Sequence, residues 1–359
     1  MSDPWPQRQS SEQATLDDLY YCYRVLLKRE PDDEGWNFWS KKIADEDFTV
    51  TKLAAYFCQS HEYLTNARAR GLKLVTLEDF ELYVYEHDWD VGAQMLEKKQ
   101  YEPDVTAFLK DRLQPGFTFV DVGANVGYFT ILAAKLLGRT GRTIAIECNS
   151  RNCELIYLNL HHNSIENALV YQFAVSDAQK LLSLTAGFSN GEVDELRDDQ
   201  DALIVPAVTL DFLLQNEPRI DIIKMDIEGS EAKAWRGMQQ TIRKHHPTIV
   251  MELFPALLER HSRTSTTDFL DQIFSAGYFA TILRTSDMDN EQITDDSDHG
   301  SGKASNSLEV MEILQQRKEF ARDESQAYLN LALELPRQPR RKLFSRLSRF
   351  WLRSRVETV

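Results

Sequence analysis

Apolar positions recur at helical spacing over residues 14–68 and in strand-length runs from residue 117 onward. Leu16, Leu19, Tyr20, Tyr23, Leu26 and Leu27 make a first helical stripe. Arg29-Glu30-Pro31-Asp32-Asp33 ends it, because Pro31 has no amide hydrogen and Asp32 or Asp33 can cap the next helix. Trp36, Trp39 and Ile43 form a second stripe, Leu53, Phe57 and Cys58 a third. Ser60 can cap a fourth helix carrying Tyr63 and Leu64. Such short helices need one another to bury their faces, so residues 14–68 are expected to form a small all-α domain. Residues 71–116 read as a helical lead-in: 71–100 show no clear period, and Pro103 opens a helix carrying Val105, Phe108, Leu109 and Leu113.

From 117 to 320 the runs Phe117–Val122, Thr143–Glu147, Leu169–Val175, Ile220–Ile227 and Thr248–Leu253 read as buried strands. Helical patterns at Tyr128–Leu137, Cys153–His162 and Glu231–Lys244 follow most of them. The expected fold is α/β, a doubly wound, mostly parallel sheet covered on both faces. Ligands on such sheets bind beyond the carboxyl ends of the strands. Two segments depart from the alternation. Leu181–Thr185 and Ile204–Leu210 flank a polar stretch and suggest a hairpin over the sheet edge. Tyr278–Leu283 and Leu308–Ile313 read as two final strands joined by a polar loop. Asp287, Asp289, Asp295 and Asp298 in that loop lack calcium-loop spacing.

The net charge of −15 is unevenly placed. Residues 337–359 hold eight Lys or Arg and one acid, a net +7, so the remaining chain carries −22. An acidic body repels phosphates and argues against nucleic acid as a partner. In the tail, Leu343, Phe344, Leu347, Phe350, Trp351 and Leu352 alternate with basic residues as an amphipathic helix would. That pattern suits a membrane surface, an acidic partner or this protein's own acidic body. No run is long enough to span a membrane, and the start does not read as a secretory signal. Cys22, Cys58, Cys148 and Cys153 lack pairing or ligand spacing, which fits reduced thiols in the cytoplasm, with the tail a candidate contact at the inner face of the membrane. The pairs His161-His162 and His245-His246 diverge as neighbours do, so they read as helix-end or surface residues.

Candidate chemistry begins at Asp121-Val122-Gly123-Ala124-Asn125-Val126-Gly127, after the first strand. Gly123 permits a tight turn and Gly127 is expected to let the next helix pack close to the strand. Glu147 ends the second strand, where an acid can accept both hydroxyls of a ribose. A dinucleotide site needs G-x-G-x-x-G, whereas this turn is G-x-x-x-G with Asn125 in place of glycine. Asp121 would repel pyrophosphate and suits an ammonium or sulfonium group, which points to S-adenosylmethionine. A nicotinamide cofactor on the same sheet is the disfavoured alternative.

The second signal is Lys224-Met225-Asp226-Ile227-Glu228-Gly229. Strand alternation would put Lys224, Asp226 and Glu228 on one face. A lysine in a central strand needs a partner, and Asp226 is the nearest in sequence. Glu252 closes the next strand at the same rim. Several carboxylates around one cleft can raise a pKa and make a general base. Asp226 is the first candidate, Glu228 or Glu252 the substitute. A structural Lys224–Asp226 ion pair and oxygen ligation of a metal by Asp226, Glu228 and Glu252 are the alternatives, and no metal site is assigned.

Two resemblances follow from these residues. Leu19–Arg29 with Glu30–Gly35 and Trp39 resembles a small bacterial helical domain of unknown function, which implies a docking role. The acidic Asp32-Asp33-Glu34 group there reads as a capped turn, since one such cluster supplies too few ligands for calcium. Asp121–Phe129, Ala145-Ile146-Glu147, Thr209-Leu210-Asp211, Lys224–Glu231, Met251-Glu252 and Tyr101-Glu102-Pro103 resemble the FkbM family of S-adenosylmethionine-dependent O-methyltransferases, over about Asp90 to Ile313. The resemblance implies a class I, Rossmann-like methyltransferase. It also implies that Asp121, Gly123, Ala124, Asn125 and Gly127 hold the methionine part of the cofactor. Glu147 would bind the ribose and Ala174 would lie by the adenine. Tyr101-Glu102 would fold over the cofactor. Asp226 and Glu228 would face the methyl group and an acceptor hydroxyl on a sugar, glycan or glycolipid-type molecule. The family has Pro after the second-strand acid, whereas Cys148 follows Glu147 here. A noncatalytic adaptor with a degenerate sheet is the reading from a different class.

Overall fold

The computed structural model describes residues 13–45, 48–69, 71–89, 91–187, 189–196, 203–283, 302–320 and 328–336. The expected loop acids Asp287, Asp289, Asp295 and Asp298 and the basic segment 337–359 lie outside the described residues. The central sheet has eight strands: β1 Thr118–Val122, β2 Arg142–Ile146, β3 Ala168–Tyr171, β4 Ile222–Met225, β5 Thr248–Leu253, β6 Phe279–Leu283, β7 Lys303–Ala304 and β8 Leu329–Glu334. Their spatial order is β7-β6-β8-β5-β4-β1-β2-β3. The run from β3 to β5 is parallel throughout, and β8 enters antiparallel between β5 and β6. The doubly wound, mostly parallel expectation therefore holds. β1 pairs with both β2 and β4, which are reached by crossovers of opposite sense, so the crevice for a ligand opens above the carboxyl ends of these three strands.

Four expectations are corrected. Residues 308–313 belong to the helix Ser307–Phe320, and the last strand is β8, which carries the sheet past residue 320. The run 169–175 is not one strand: β3 ends at Tyr171, and Ala174–Val175 turns away to join a second sheet. That second sheet, with Leu203–Val208, Lys180–Ala186 and Gly191–Glu195, is a four-stranded layer where a simple hairpin was expected. The helix expected over 231–244 breaks into Glu231–Arg236 and Gln239–His245. Gly237 packs so closely that a Cβ there would fall on the Ser176 carbonyl. Asp211 then caps the second half, accepting from the amides of Gln240 at 2.9 Å and Thr241 at 2.7 Å.

Residues 71–100 also carry structure that has no period in the sequence. Leu72–Thr76 and Glu81–Tyr85 form an antiparallel hairpin. It is fastened by Asn159, whose Oδ1 accepts from the Tyr83 amide at 2.6 Å and whose Nδ2 donates to the Tyr83 and Val126 carbonyls at 3.1 and 2.9 Å. Asn159 is fully buried on the helix Ser150–His162, so one side chain ties the hairpin to the turn after β1.

The N-terminal helices form as their apolar stripes predict. Thr15 and Asp18 make a reciprocal cap at the start, and Asp32 accepts from the Gly35 amide at 2.8 Å to start Asp33–Asp45. The acidic turn is thus a helix cap. The helices do not keep a separate core. Leu19, Leu53 and Phe57 belong to one apolar cluster that continues through Leu82 and Leu109 to Phe119 and Ile131. The Tyr63 hydroxyl donates to Glu154 at 3.3 Å, linking this layer to the helix Ser150–His162. Among the described residues no helix is long and apolar enough to cross a membrane.

Candidate active site

Three turns meet above β1, β2 and β4. The turn after β1 has Gly123 at φ +78°, and a Cβ there would fall on the carbonyl oxygen of Asp226. The first and third turns are therefore in direct backbone contact, which is why glycine is required at 123. Gly127, at φ +92°, lets the helix Tyr128–Leu137 start beside Ile156 of the neighbouring helix, 3.2 Å from where a Cβ would stand. Its close approach is to that helix, not to the strand as expected. Asn125 and Glu228 also take positive φ, +51° and +50°. Left-handed backbone at non-glycine residues stores strain and clusters at functional sites.

Glu147 is 6% exposed, and both of its oxygens are engaged by backbone. Oε2 accepts from the Asn125 amide and Oε1 from the Asn149 amide, each at 2.8 Å. The acid thus locks the first turn to the start of the next helix, and each oxygen keeps a second lone pair for a ligand hydroxyl. Burial pushes its pKa up to about 7 against the two amide bonds. Glu231 plays a matching part under the third turn. Its Oε1 accepts from the Ile227 amide at 3.0 Å, its Oε2 has no partner, and burial pushes it up to about 7 as well.

The cleft bounded by these turns has a volume of about 640 Å³, open mouth included. Gly123, Asn125, Glu147, Ala174, Asp226 and Glu228 line it, as the sequence analysis expects. The outer wall was not expected. It is the tip of the second sheet, with Ser189, Asn190 and Gly191. Asn125 Nδ2 donates to Asn190 at 2.9 Å and Asn152 Nδ2 to the Ser189 carbonyl at 2.8 Å. The Asn190-Gly191 pair is a turn signal in the sequence, but nothing in it says which cleft the turn would cover.

Asp121, Glu102, Ala124 and Gly127 are not part of the cleft wall. Asp121 is 1% exposed, accepts from the Thr130 hydroxyl at 2.5 Å, and leaves Oδ1 without a partner. It faces a buried polar cluster centred on Lys224. The Lys224 ammonium donates to Asp226 at 3.0 Å and lies 4.8 Å from the centre of the Phe129 ring. Burial opposes its charge, but Asp226, Glu102 and Asp121 outweigh that and hold its pKa above the ordinary lysine range. Glu102 opens the helix Pro103–Arg112 at φ +37° and is pushed up to about 7 by burial, with Lys224 pulling the other way. Burial also raises Glu252, with Asp226, Glu102 and Glu228 adding to the shift. Tyr101 packs its ring on Tyr128 and Phe129 at 5.4 and 6.0 Å. Glu102 therefore lies beside the cleft among these acids rather than over a cofactor. The strand β4 ends at Met225, so strict alternation does not extend to Glu228, which sits in the turn.

Among the described residues no group of three or more His, Cys, Asp or Glu side chains could hold a metal ion. Residues 121–280 match the model of the methyltransferase FkbM domain. Over these residues the chain is similar to a methyltransferase domain of the FkbM family. No curated protein matches the chain. Among solved structures it is similar to the methyltransferase FkbM of Methylobacillus flagellatus KT, at 16% identity and a TM-score of 0.36, covering 74% of this chain. This chain spans only 55% of that protein's length. It is also similar to an S-adenosylmethionine-dependent O-methyltransferase of Thermotoga maritima, at 11% identity and a TM-score of 0.34, covering 68% of this chain and 71% of that one. A Streptococcus mutans protein solved with S-adenosylhomocysteine is similar at 6% identity and a TM-score of 0.37, covering 65% of this chain and 98% of that one.

The cleft wall carries polar groups fit to meet a ligand. Asn125 Oδ1, Asn149 Nδ2 and Ser189 Oγ are buried polar atoms without partners, and all three residues line the cleft. Such atoms are costly unless a ligand or water pairs them. The acids beside the cleft suit a ligand that carries positive charge.

The raised carboxyl groups predict a pH effect. Glu147 and Glu231 rise from 4.5 to about 7 on folding, so the folded state binds protons that the unfolded state has released. Their stabilisation is complete below about pH 4.5 and is lost as the pH rises through about 7. The melting temperature of the ligand-free protein should fall between about pH 5 and pH 8, less steeply in Glu147→Gln. A melting temperature that rises over this window in both proteins would contradict the assignment.

Proposed function

We propose that this chain transfers a methyl group from S-adenosylmethionine to a hydroxyl of a sugar, glycan or glycolipid-type acceptor. The observation that carries the reading is Asp226, which lines the cleft while a buried ammonium holds its carboxylate in place. Bound S-adenosylmethionine would supply an electrophilic methyl group on a positively charged sulfur. The chain's own residues then bind and orient. Gly123 and Asn125 would hold the methionine part, Glu147 the ribose hydroxyls, and Ala174 with the Ser189–Gly191 tip the adenine. Asp121, Ala124 and Gly127 shape the turn from beneath. A hydroxyl is a weak nucleophile and gains from a base at hydrogen-bond distance. Asp226 takes that proton, with Glu228 on the same wall. Lys224 aims Asp226 through its 3.0 Å hydrogen bond.

A nicotinamide cofactor is disfavoured because the turn has Asn125 where its pyrophosphate needs glycine. The intact Glu147 lock and Asp226–Lys224 pair support an enzyme over a noncatalytic adaptor. The acidic composition supports an acceptor other than nucleic acid. The basic, amphipathic sequence of 337–359 supports contact with anionic lipid or an acidic partner, and with it a cytoplasmic protein that can sit at the inner face of the membrane.

Calorimetric titration with S-adenosylmethionine, S-adenosylhomocysteine and NAD tests the cofactor. The first two should bind and NAD should not. Glu147→Gln should weaken binding by about tenfold or more, the worth of a charge-assisted hydrogen bond. Binding of NAD alone would replace this reading with an oxidoreductase.

A further inference from the structure

The rim beyond Asp226 holds polar groups that cofactor binding does not use. Met225 pairs with Met251, so the next residues, Asp226 and Glu252, stand side by side across β4 and β5. Glu252 pairs in turn with Asn330 at the start of β8. Paired residues on neighbouring strands share a face, about 5 Å apart per strand. Glu252 and Asn330 thus continue the line from Asp226, one and two strands farther from the cofactor cleft. Asn330 is 4% exposed, so its amide is a polar group held at the inner end of this line. Beside these two groups Phe254 and Tyr328 bring their rings within 6.2 Å, tilted at 39°. Tyr328 is 36% exposed, so this aromatic surface faces solvent at the rim.

We propose that the tips of β5 and β8 are the acceptor subsite, built for an uncharged ring that bears a vicinal diol and one apolar face. The assignment rests on the methyl-transfer reading above. A carboxyl oxygen accepts hydrogen bonds and an amide both donates and accepts, so Glu252 and Asn330 together match two adjacent hydroxyls. The Phe254–Tyr328 surface covers the apolar face of the ring and fixes which hydroxyl points to Asp226. The local charge sets the exclusion. The carboxyl groups of Asp226, Glu102, Asp121 and Glu252 surround the ammonium of Lys224, and Glu228 lies by Glu252. A phosphate-bearing form of the same ring, such as a nucleoside-diphosphate sugar, would be repelled.

The test uses the full chain loaded with S-adenosylhomocysteine. Saturation-transfer NMR titrations would compare methyl glycosides of glucose, galactose and rhamnose with glucose 1-phosphate. At least one neutral glycoside should bind, and the phosphate should not. Its apparent affinity should fall about fivefold or more in Tyr328→Ala and in Asn330→Leu. The affinity for S-adenosylhomocysteine should stay within about twofold in both variants, which also shows that they fold. Glycoside binding unchanged in both variants, preference for the phosphate, or no transfer from any probe would overturn the proposal. Failure of the unsubstituted protein to bind S-adenosylhomocysteine would instead remove the methyl-transfer reading on which it rests.

Discussion

Asp226→Asn is expected to lower methyl transfer by about 10²–10⁴-fold while leaving affinity for S-adenosylmethionine within a few-fold, because loss of a positioned base costs that much. The substitution keeps shape and volume. It removes the acceptor of the proton and leaves the neighbouring turn untouched, since the Asp226 amide, bonded to the Val122 carbonyl at 3.1 Å, and the carbonyl that packs on Gly123 are backbone groups. Single-turnover assays beside calorimetry separate the two quantities. Near-normal turnover would move the base to Glu228 or Glu252. An equal loss of turnover and cofactor affinity would make Asp226 a binding residue.

Lys224→Met should cost about 3–5 kcal/mol of stability at neutral pH, the usual effect of removing one partner from a buried charged group. Methionine fills nearly the same volume, so little of the loss is packing. Asp226 would lose its 3.0 Å partner, and Glu102 and Asp121 would lose the cation that offsets their burial. The sign of the pH dependence separates this from a cavity effect. Without the ammonium Glu102 and Asp121 hold their protons to still higher pH. The variant's deficit should therefore shrink as the medium is acidified toward about pH 5, where the acids can be neutral. Denaturant titrations at both pH values would show it. A deficit independent of pH would mean that Lys224 acts through packing on Phe129 alone.

Much of the site was legible in the sequence because it lies in turns that follow strongly apolar strands. Gly123, Asn125, Glu147, Ala174, Asp226 and Glu228 all reach one cleft, as position along the strands predicts. Other elements were hidden for identifiable reasons. The Leu72–Tyr85 hairpin has a mixed pattern because its second strand, Glu81–Tyr85, lies against a helix whose Asn159 pairs the Tyr83 amide and carbonyl. The segment 308–313 is as apolar as a strand, but Ser307–Phe320 buries Val310 and Leu314 on one side and exposes Leu308, the signature of a helix at the sheet's edge. β8 escaped because a run of apolar residues so near the basic tail looks like its lead-in. Asp211, part of the family resemblance, is a helix cap.

Sequence alone sufficed for the strand-and-helix alternation between Phe117 and Leu160, for the turn after β1 and for the two charged signatures at Glu147 and Lys224-Met225-Asp226, because each depends on spacing within one local segment. Only the tertiary structure decided which distant groups meet. It placed the Ser189–Gly191 tip over the cleft and turned Asp121 and Glu102 inward to Lys224. It inserted β8 so that Asn330 stands beside Glu252. Those outcomes depend on strand order and on the cost of burying charge, and both arise when segments far apart in the chain share one low-dielectric interior.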